Sequence, residues 1–278
     1  MVVATIALAC MHGLVRYLSD NLNVFVISFY RNVFGLIFYL PIIVGLGLKG
    51  MRVQRPMLML LRCILGLLGM FTWFYGLSKV PTAEATALSF AATVFASLSA
   101  FLFLGEKMRL HRWLAIFGGL VGVVVVLQPS SDSFSPPMLW ILVSCLFWGA
   151  SMTTVKLLTR TDSAAAIVAW LSILLTIMSF LPALFNWQWP DPNDLLLLVL
   201  MGAMSVTGHF CLTRAMSLGD ASAVMSLDFM RLVWATAIGI YFFGDGLNIS
   251  TWIGACLIFA SGIYIIAKES RSDSQRSR

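Results

Sequence analysis

Ten apolar runs separated by short polar breaks set the limits on this chain: residues 2–18, 24–47, 57–79, 83–104, 110–128, 138–158, 164–185, 194–216, 221–243 and 250–268. About twenty apolar residues at 1.5 Å each match a hydrocarbon layer about 30 Å thick, so most of these runs are of membrane-crossing length. The breaks carry turn chemistry: Ser19-Asp20-Asn21, the stretch 129–137, Trp189-Pro190-Asp191-Pro192 and Gly244-Asp245-Gly246. Composition agrees, with 60% hydrophobic and 11% charged residues where soluble domains have about 45–50% and about 25%. The expectation is an all-α integral membrane protein with ten transmembrane helices. The first run lacks a basic leader and a small-residue cleavage site, so it reads as a retained first helix. The polar residues 269–278 read as a disordered tail.

A net charge of +6 does not imply nucleic acid here, because the basic residues sit at helix ends and form no patch. Placing the N-terminus in the cytoplasm puts fourteen of the eighteen Lys and Arg on inner loops and the tail. These are Lys49, Arg52, Arg55, Arg62, Lys107, Arg109, Arg112, Lys156, Arg160, Arg214, Lys268, Arg271, Arg276 and Arg278. Arg16 and Lys79 fall at outer ends, while Arg31 and Arg231 lie within runs. Both termini are therefore expected to be cytoplasmic. The five cysteines all lie in apolar runs without a C-x-x-C, as buried hydrophobes do, and no metal or other cofactor is expected.

The two halves echo each other at an offset of 139 residues: Phe71 meets Phe210, Ser78 Ser217, Leu88 Leu227 and Phe90 Phe229. Val94 likewise meets Val233, Phe103 Phe242, Gly105 Gly244 and Trp113 Trp252. The repeats are expected at 1–129 and 137–268. Five helices per repeat is an odd number, so the second must enter the membrane inverted. The basic Lys107, Arg109 and Arg112 become Gly246, Asn248 and Thr251, as inversion requires. Inverted repeats around a midplane site are the plan of secondary transporters.

Charges inside the runs mark candidate sites. Asp228 and Arg231 sit one turn apart within 221–243, near the membrane midplane, and can pair. Each costs about 2.5–3.5 kcal/mol on insertion scales, so neither is expected to face lipid. A polar cavity handling solute and a structural ion pair are both open readings. The offset aligns Asp228 with Ser89 and Arg231 with Ala92, so the pair exists in one half only, which favours a functional role. Arg31 lies about 10 Å inside the second run and suits a substrate carboxylate or snorkels outward. His12 and Arg16 are one turn apart, and His209 lies centrally in the eighth run between Ser205 and Thr213, as a proton relay or a helix contact. Arg62, Gly66, Gly69, Trp73 and Gly76 share one face, where the glycines suit close helix packing and Trp73 a pocket wall. Tyr75 sits nearby on another face. Trp148 and Trp170 are further aromatics for stacking on a planar group or a cation, or for simple packing. Glu84 opens the fourth run as a dipole partner or a coupling group. Gly118-x-x-x-Gly122 suits a helix contact or a homodimer seam.

The stretches RPMLMLLRCILGLLGMFTWFYGLSKVPTAEATALSF (residues 55–90) and FLGEKMRLHRWLAIFGGLVGVVVVLQP (residues 103–129) resemble the drug/metabolite transporter superfamily, in its ten-helix EamA branch. The second-half echo AMSLGDASAVMSLDFMRL, FFGD and STWIGACLIFASGIYI is similar to the same repeat. Within the branch, the first half is similar to bacterial S-adenosylmethionine uptake transporters. The chain departs from the family at Asp245, where a glutamate is usual, and at Ala92-Thr93, where a proline is common. The second departure puts a kink of the fourth helix in question.

The resemblance implies a bacterial inner-membrane carrier of a small polar or zwitterionic metabolite, amino-acid-like or S-adenosylmethionine-like, working by alternating access. Asp228, Arg231, Arg31, Trp73, His209, Trp148, Tyr75 and Trp170 are the candidate solute contacts. His209, Asp228 and Glu84 are the candidates for coupling. The absence of G-x-x-x-x-G-K-[ST] argues against ATP as energy source. Against an embedded enzyme stand the absence of H-E-x-x-H and G-x-S-x-G and the short loops. A membrane scaffold or regulator is the other alternative.

Overall fold

The computed structural model describes residues 1–104, 110–128, 135–218, 227–228, 230–246 and 248–276. Their helices are α1 (Val2–Leu18), α2 (Val24–Gly50), α3 (Pro56–Leu77), α4 (Thr82–Ser89), α5 (Ala92–Leu104), α6 (Leu110–Leu127), α7 (Pro137–Leu158), α8 (Ala164–Phe185), α9 (Pro192–Leu218), α10 (Met230–Phe243) and α11 (Ile249–Arg276). Proline at the first helical position starts α3, α7 and α9, where its missing N–H costs nothing. Ser163 caps α8 by accepting from the Ala166 N–H at 3.2 Å. Among the described residues five helices are long and apolar enough to span a bilayer outright, and five shorter apolar stretches accompany them, one of which, Thr82–Ala96, runs from α4 into α5. The outer surface is lipid-compatible, with Leu40, Val44, Phe117, Leu181 and Tyr241 exposed.

The single run expected at 83–104 is two helices, α4 and α5, broken at Phe90 and Ala91 without a proline. At the break the ladder tightens to i→i+3 bonds, Phe90 N–H to Ala87 and Ala91 N–H to Leu88. The Cys145 thiol of α7 reaches the Leu88 and Ser89 carbonyls at 3.5 and 3.7 Å. Gly149 of α7 lets the α5 backbone at Phe95 and Ala96 come within 2.7 Å of where a Cβ would sit. The kink that the missing proline put in question is thus produced by a neighbouring helix.

Helix pairing follows a two-fold rule between the halves. α3 packs on α7 as α9 packs on α1, and α5 on α7 as α10 on α1. The self-related pairs α2–α8 and α6–α11 close the arrangement, and α4 packs against α10, the counterpart of α5. Gly122 and Gly254 bring α6 and α11 together backbone to backbone, a Cβ on Gly122 falling 2.8 Å from the Gly254 carbonyl oxygen. The face carrying Gly118 and Gly122 is therefore taken by α11 within the chain. The large core contains Trp73, Phe74 and Leu88 from one half and Met201, Leu232 and Ile258 from the other.

Some expectations meet a different outcome. α11 runs on to Arg276 through the segment read as a disordered tail. Extending an existing helix needs no new nucleus. Lys107, Arg109 and the start of the ninth run at 221–226 lie outside the described residues.

Candidate functional site

At mid-membrane the α4–α5 break faces the start of α10. Arg231 lies twelve residues before Phe243, about 18 Å from that helix end. Its Nη2 donates to Asp228 Oδ2 at 3.1 Å and to Ser89 Oγ at 3.5 Å, and its guanidinium lies 5.4 Å from the Phe90 ring centre. The expected pair therefore forms. Ser89, aligned with Asp228 by the repeat, stands against Arg231 as its second contact. Asp228 Oδ1 and Arg231 Nε are buried without a hydrogen-bond partner.

A second guanidinium enters from α2. Arg31 donates through Nε and Nη2 to Ser205 Oγ of α9 at 3.2 and 3.0 Å, and its Nη1 lies 2.9 Å from Met70 Sδ. It also stands 5.7 Å from the Phe74 ring centre. Arg31 therefore points inward and does not snorkel. A third comes from α3, where Arg62 donates to Ser151 Oγ of α7, with its Nε buried and unpartnered. His209 on α9 lies within electrostatic range of Arg31, Arg231 and Arg62, yet keeps an exposed surface. His209 thus stands among three interior arginines from three other helices. His12 of α1 shares this neighbourhood with Arg31, Arg231 and His209.

Aromatic rings line the same region. Trp73 is 1% exposed, 5.0 Å from His12 edge to face and 5.4 Å from Trp148. Gly69 admits the Trp148 ring, whose atoms lie 2.7 Å from an added Cβ. Trp73 Nε1 and His12 Nδ1 are buried without partners.

An ion pair clasps one end of the bundle. Arg16 at the end of α1 grips Asp245, just beyond α10, in a bidentate pair at 2.5 and 2.9 Å, and also donates to Thr82 Oγ1 at 3.2 Å. The Phe243 ring centre lies 4.2 Å from the guanidinium. Gly239 allows this approach, since an added Cβ would meet Asp245 Oδ2 at 2.7 Å. The departure from glutamate at Asp245 thus leaves a carboxylate well placed for pairing. Glu84 sits near this pair and lines a small cavity with Asn248, Thr236, Thr251 and Trp252. It precedes Ser89 by five residues on α4, about 7.5 Å along the axis, on the side of the Arg16–Asp245 pair.

Two expected contacts lie elsewhere. Tyr75 is 45% exposed and packs against the equally exposed Trp140 on the perimeter. Trp170 donates from Nε1 to the Met51 carbonyl at 2.7 Å and packs with Met59, Cys63, Leu158 and Ile167 at the opposite end from Arg16. Arg62 was counted with the inner loops; it belongs to the interior group instead. The available signal was its place six residues past Pro56, about 9 Å into α3, on the glycine face.

Comparison with known proteins agrees with this architecture. The EamA-like transporter family model matches residues 1–128 and again 135–267. A riboflavin transporter of Rhizobium johnstonii is 34% identical over 98% of this chain and 91% of that protein. An S-adenosylmethionine uptake transporter of Rickettsia bellii is 29% identical over 94% of this chain and 90% of that protein. A riboflavin transporter of Vibrio cholerae is 29% identical over the full chain and 95% of its own. One solved crystal structure superposes with a TM-score of 0.63 at 18% identity, covering 97% of both chains, which supports the fold. With an interior polar group in an all-helical bundle and these matches across both halves, the chain is an integral multi-pass membrane protein that belongs to the EamA-like transporter family.

Proposed function

We propose that the protein is a secondary carrier that moves a small polar metabolite with a planar ring through the central space by alternating access of its two halves, residues 1–129 and 137–268. The observation that carries this reading is the interior group of Arg31, Arg62, Arg231 and Asp228 around the exposed His209. Buried charges that bridge helices of both halves mark a solute path in membrane proteins. Trp73, Trp148 and His12 supply stacking edges. The relatives' names specify riboflavin and S-adenosylmethionine, and both molecules join a flat heteroaromatic ring to a polar chain. Charge placement supports cytoplasmic termini in a bacterial inner membrane, with the Arg16–Asp245 end facing outward.

The test is uptake into vesicles carrying the purified protein, without ATP, across a panel of labelled solutes that includes both of these. Saturable accumulation supports the reading. Chemical turnover without translocation would make the protein an enzyme, and inertness toward the whole panel would favour a scaffold.

The Arg16–Asp245 pair is then the latch of one gate. Removing one partner of a buried pair costs about 3–5 kcal/mol, and this half-buried pair belongs toward the lower end. Asp245→Asn is expected to open that end. Thr86, fully buried one turn along from Thr82, reports on it: a Thr86→Cys probe should be shielded from a membrane-impermeant maleimide in solubilised protein. The added Asp245→Asn change should raise its labelling severalfold. Unchanged labelling would remove the latch role.

A further inference from the structure

The central group does not balance its own charge. Arg231 has Asp228 as a counter-ion. Arg31 and Arg62 have none among the described residues: their acceptors are the Ser205 hydroxyl and Met70 thioether, and the Ser151 hydroxyl. Ser205 and Ser151 are themselves buried. A hydroxyl satisfies a donor geometrically but leaves the charge uncompensated, and an uncompensated guanidinium in a low-dielectric interior is costly. The three arginines come from α2, α3 and α10, lie in the middle part of the span, and share His209 as an electrostatic neighbour. Nε of both Arg62 and Arg231 is buried with no acceptor.

We infer that the missing negative charge arrives with the solute: the central space selects molecules bearing a carboxylate, phosphate or equally acidic group, held between Arg62, Arg231 and Arg31, and rejects net cations. The inference rests on the carrier reading and sharpens its substrate class. Guanidinium forks match planar or tetrahedral oxyanions with paired donors. A sulfonium cation meets three like charges here against a single carboxylate, so S-adenosylmethionine, although carried by some relatives by name, suits this site poorly. The rings at Trp73 and Trp148 then hold the uncharged part of the molecule.

Two measurements test it on the purified full-length protein. The first is a ligand-dependent thermal-shift titration, which reads binding to the folded form by mass action. Its probes are riboflavin, riboflavin 5′-phosphate, S-adenosylmethionine, nicotinamide and nicotinate, chosen so that ring and charge vary separately. The acidic member of each matched pair should half-saturate at a concentration at least about tenfold below its neutral partner. Arg62→Gln, which keeps a polar group near Ser151, should bring the ratio within each matched pair close to one. Preference for the neutral members or for S-adenosylmethionine would overturn the inference.

The second measurement needs no ligand. Neutralising an uncompensated buried charge should hold or raise the melting temperature of ligand-free Arg62→Gln and Arg31→Gln. A purely structural role predicts a fall of several degrees, and that fall would overturn the inference whatever the titration shows. Indifference to every probe, with both variants as stable as the parent, would instead count against the planar-metabolite reading under which the panel was chosen and leave the charge argument supported by the second measurement.

Discussion

Arg231→Ala is expected to abolish solute uptake in vesicles while the protein still inserts into the membrane. Truncating one partner of a buried charge pair at a binding site costs about 2–5 kcal/mol, and each 1.4 kcal/mol is tenfold. The expected loss therefore runs from about thirtyfold to beyond a thousandfold. The single variant also leaves the Asp228 carboxylate, 7% exposed, without its partner, a stability cost of its own of about 3–5 kcal/mol. For that reason the decisive variant is Arg231→Ala combined with Asp228→Asn. Removing both charges should recover much of the melting temperature and none of the uptake. Asp228→Asn alone should also fail in transport. Recovery of uptake together with stability in the double variant would assign the pair to structure.

The second large effect lies far from any charge. Gly122→Val places a branched side chain where even a Cβ would stand 2.8 Å from the Gly254 carbonyl oxygen and 2.9 Å from the Ile258 nitrogen. Both are main-chain atoms of α11, so no side-chain movement relieves the clash and the helices must separate. Overpacking costs about 1–3 kcal/mol where side chains can shift, and this site begins at the upper end. At about 2–4 °C per kcal/mol for chains of this size class, the melting temperature should fall by about 10 °C, with loss of the monodisperse species on size exclusion. Gly45→Ala is the control, since an added Cβ there meets nothing within 4 Å. Equal behaviour of the two variants would show that α6 and α11 are not held by this contact.

Charge inside an apolar run is legible from residues alone, as at Arg31, Asp228 and Arg231. Arg62 escaped because a basic residue near a cytoplasmic helix end already has a sufficient explanation in topology. The aromatics divided differently. Trp73 and Trp148 sit inside, whereas Tyr75 faces outward and Trp170 packs at one end. Lipid is as apolar as the interior, so hydrophobicity alone does not tell an inward ring from an outward one. Contact across 229 residues, as between Arg16 and Asp245, has no local signature. The break at Phe90 and Ala91 lacks its usual proline and depends on Cys145 and Gly149, which lie on another helix.

The way α3 rests on α7, and α1 on α9 and α10, governs how the chain is made. When translation has delivered the first five spans, their principal partners do not yet exist, so the half-finished polypeptide waits in the bilayer with its mating surfaces bathed in lipid. Neither portion is a self-sufficient unit, and expression of one alone should yield material that assembles only when the other is supplied.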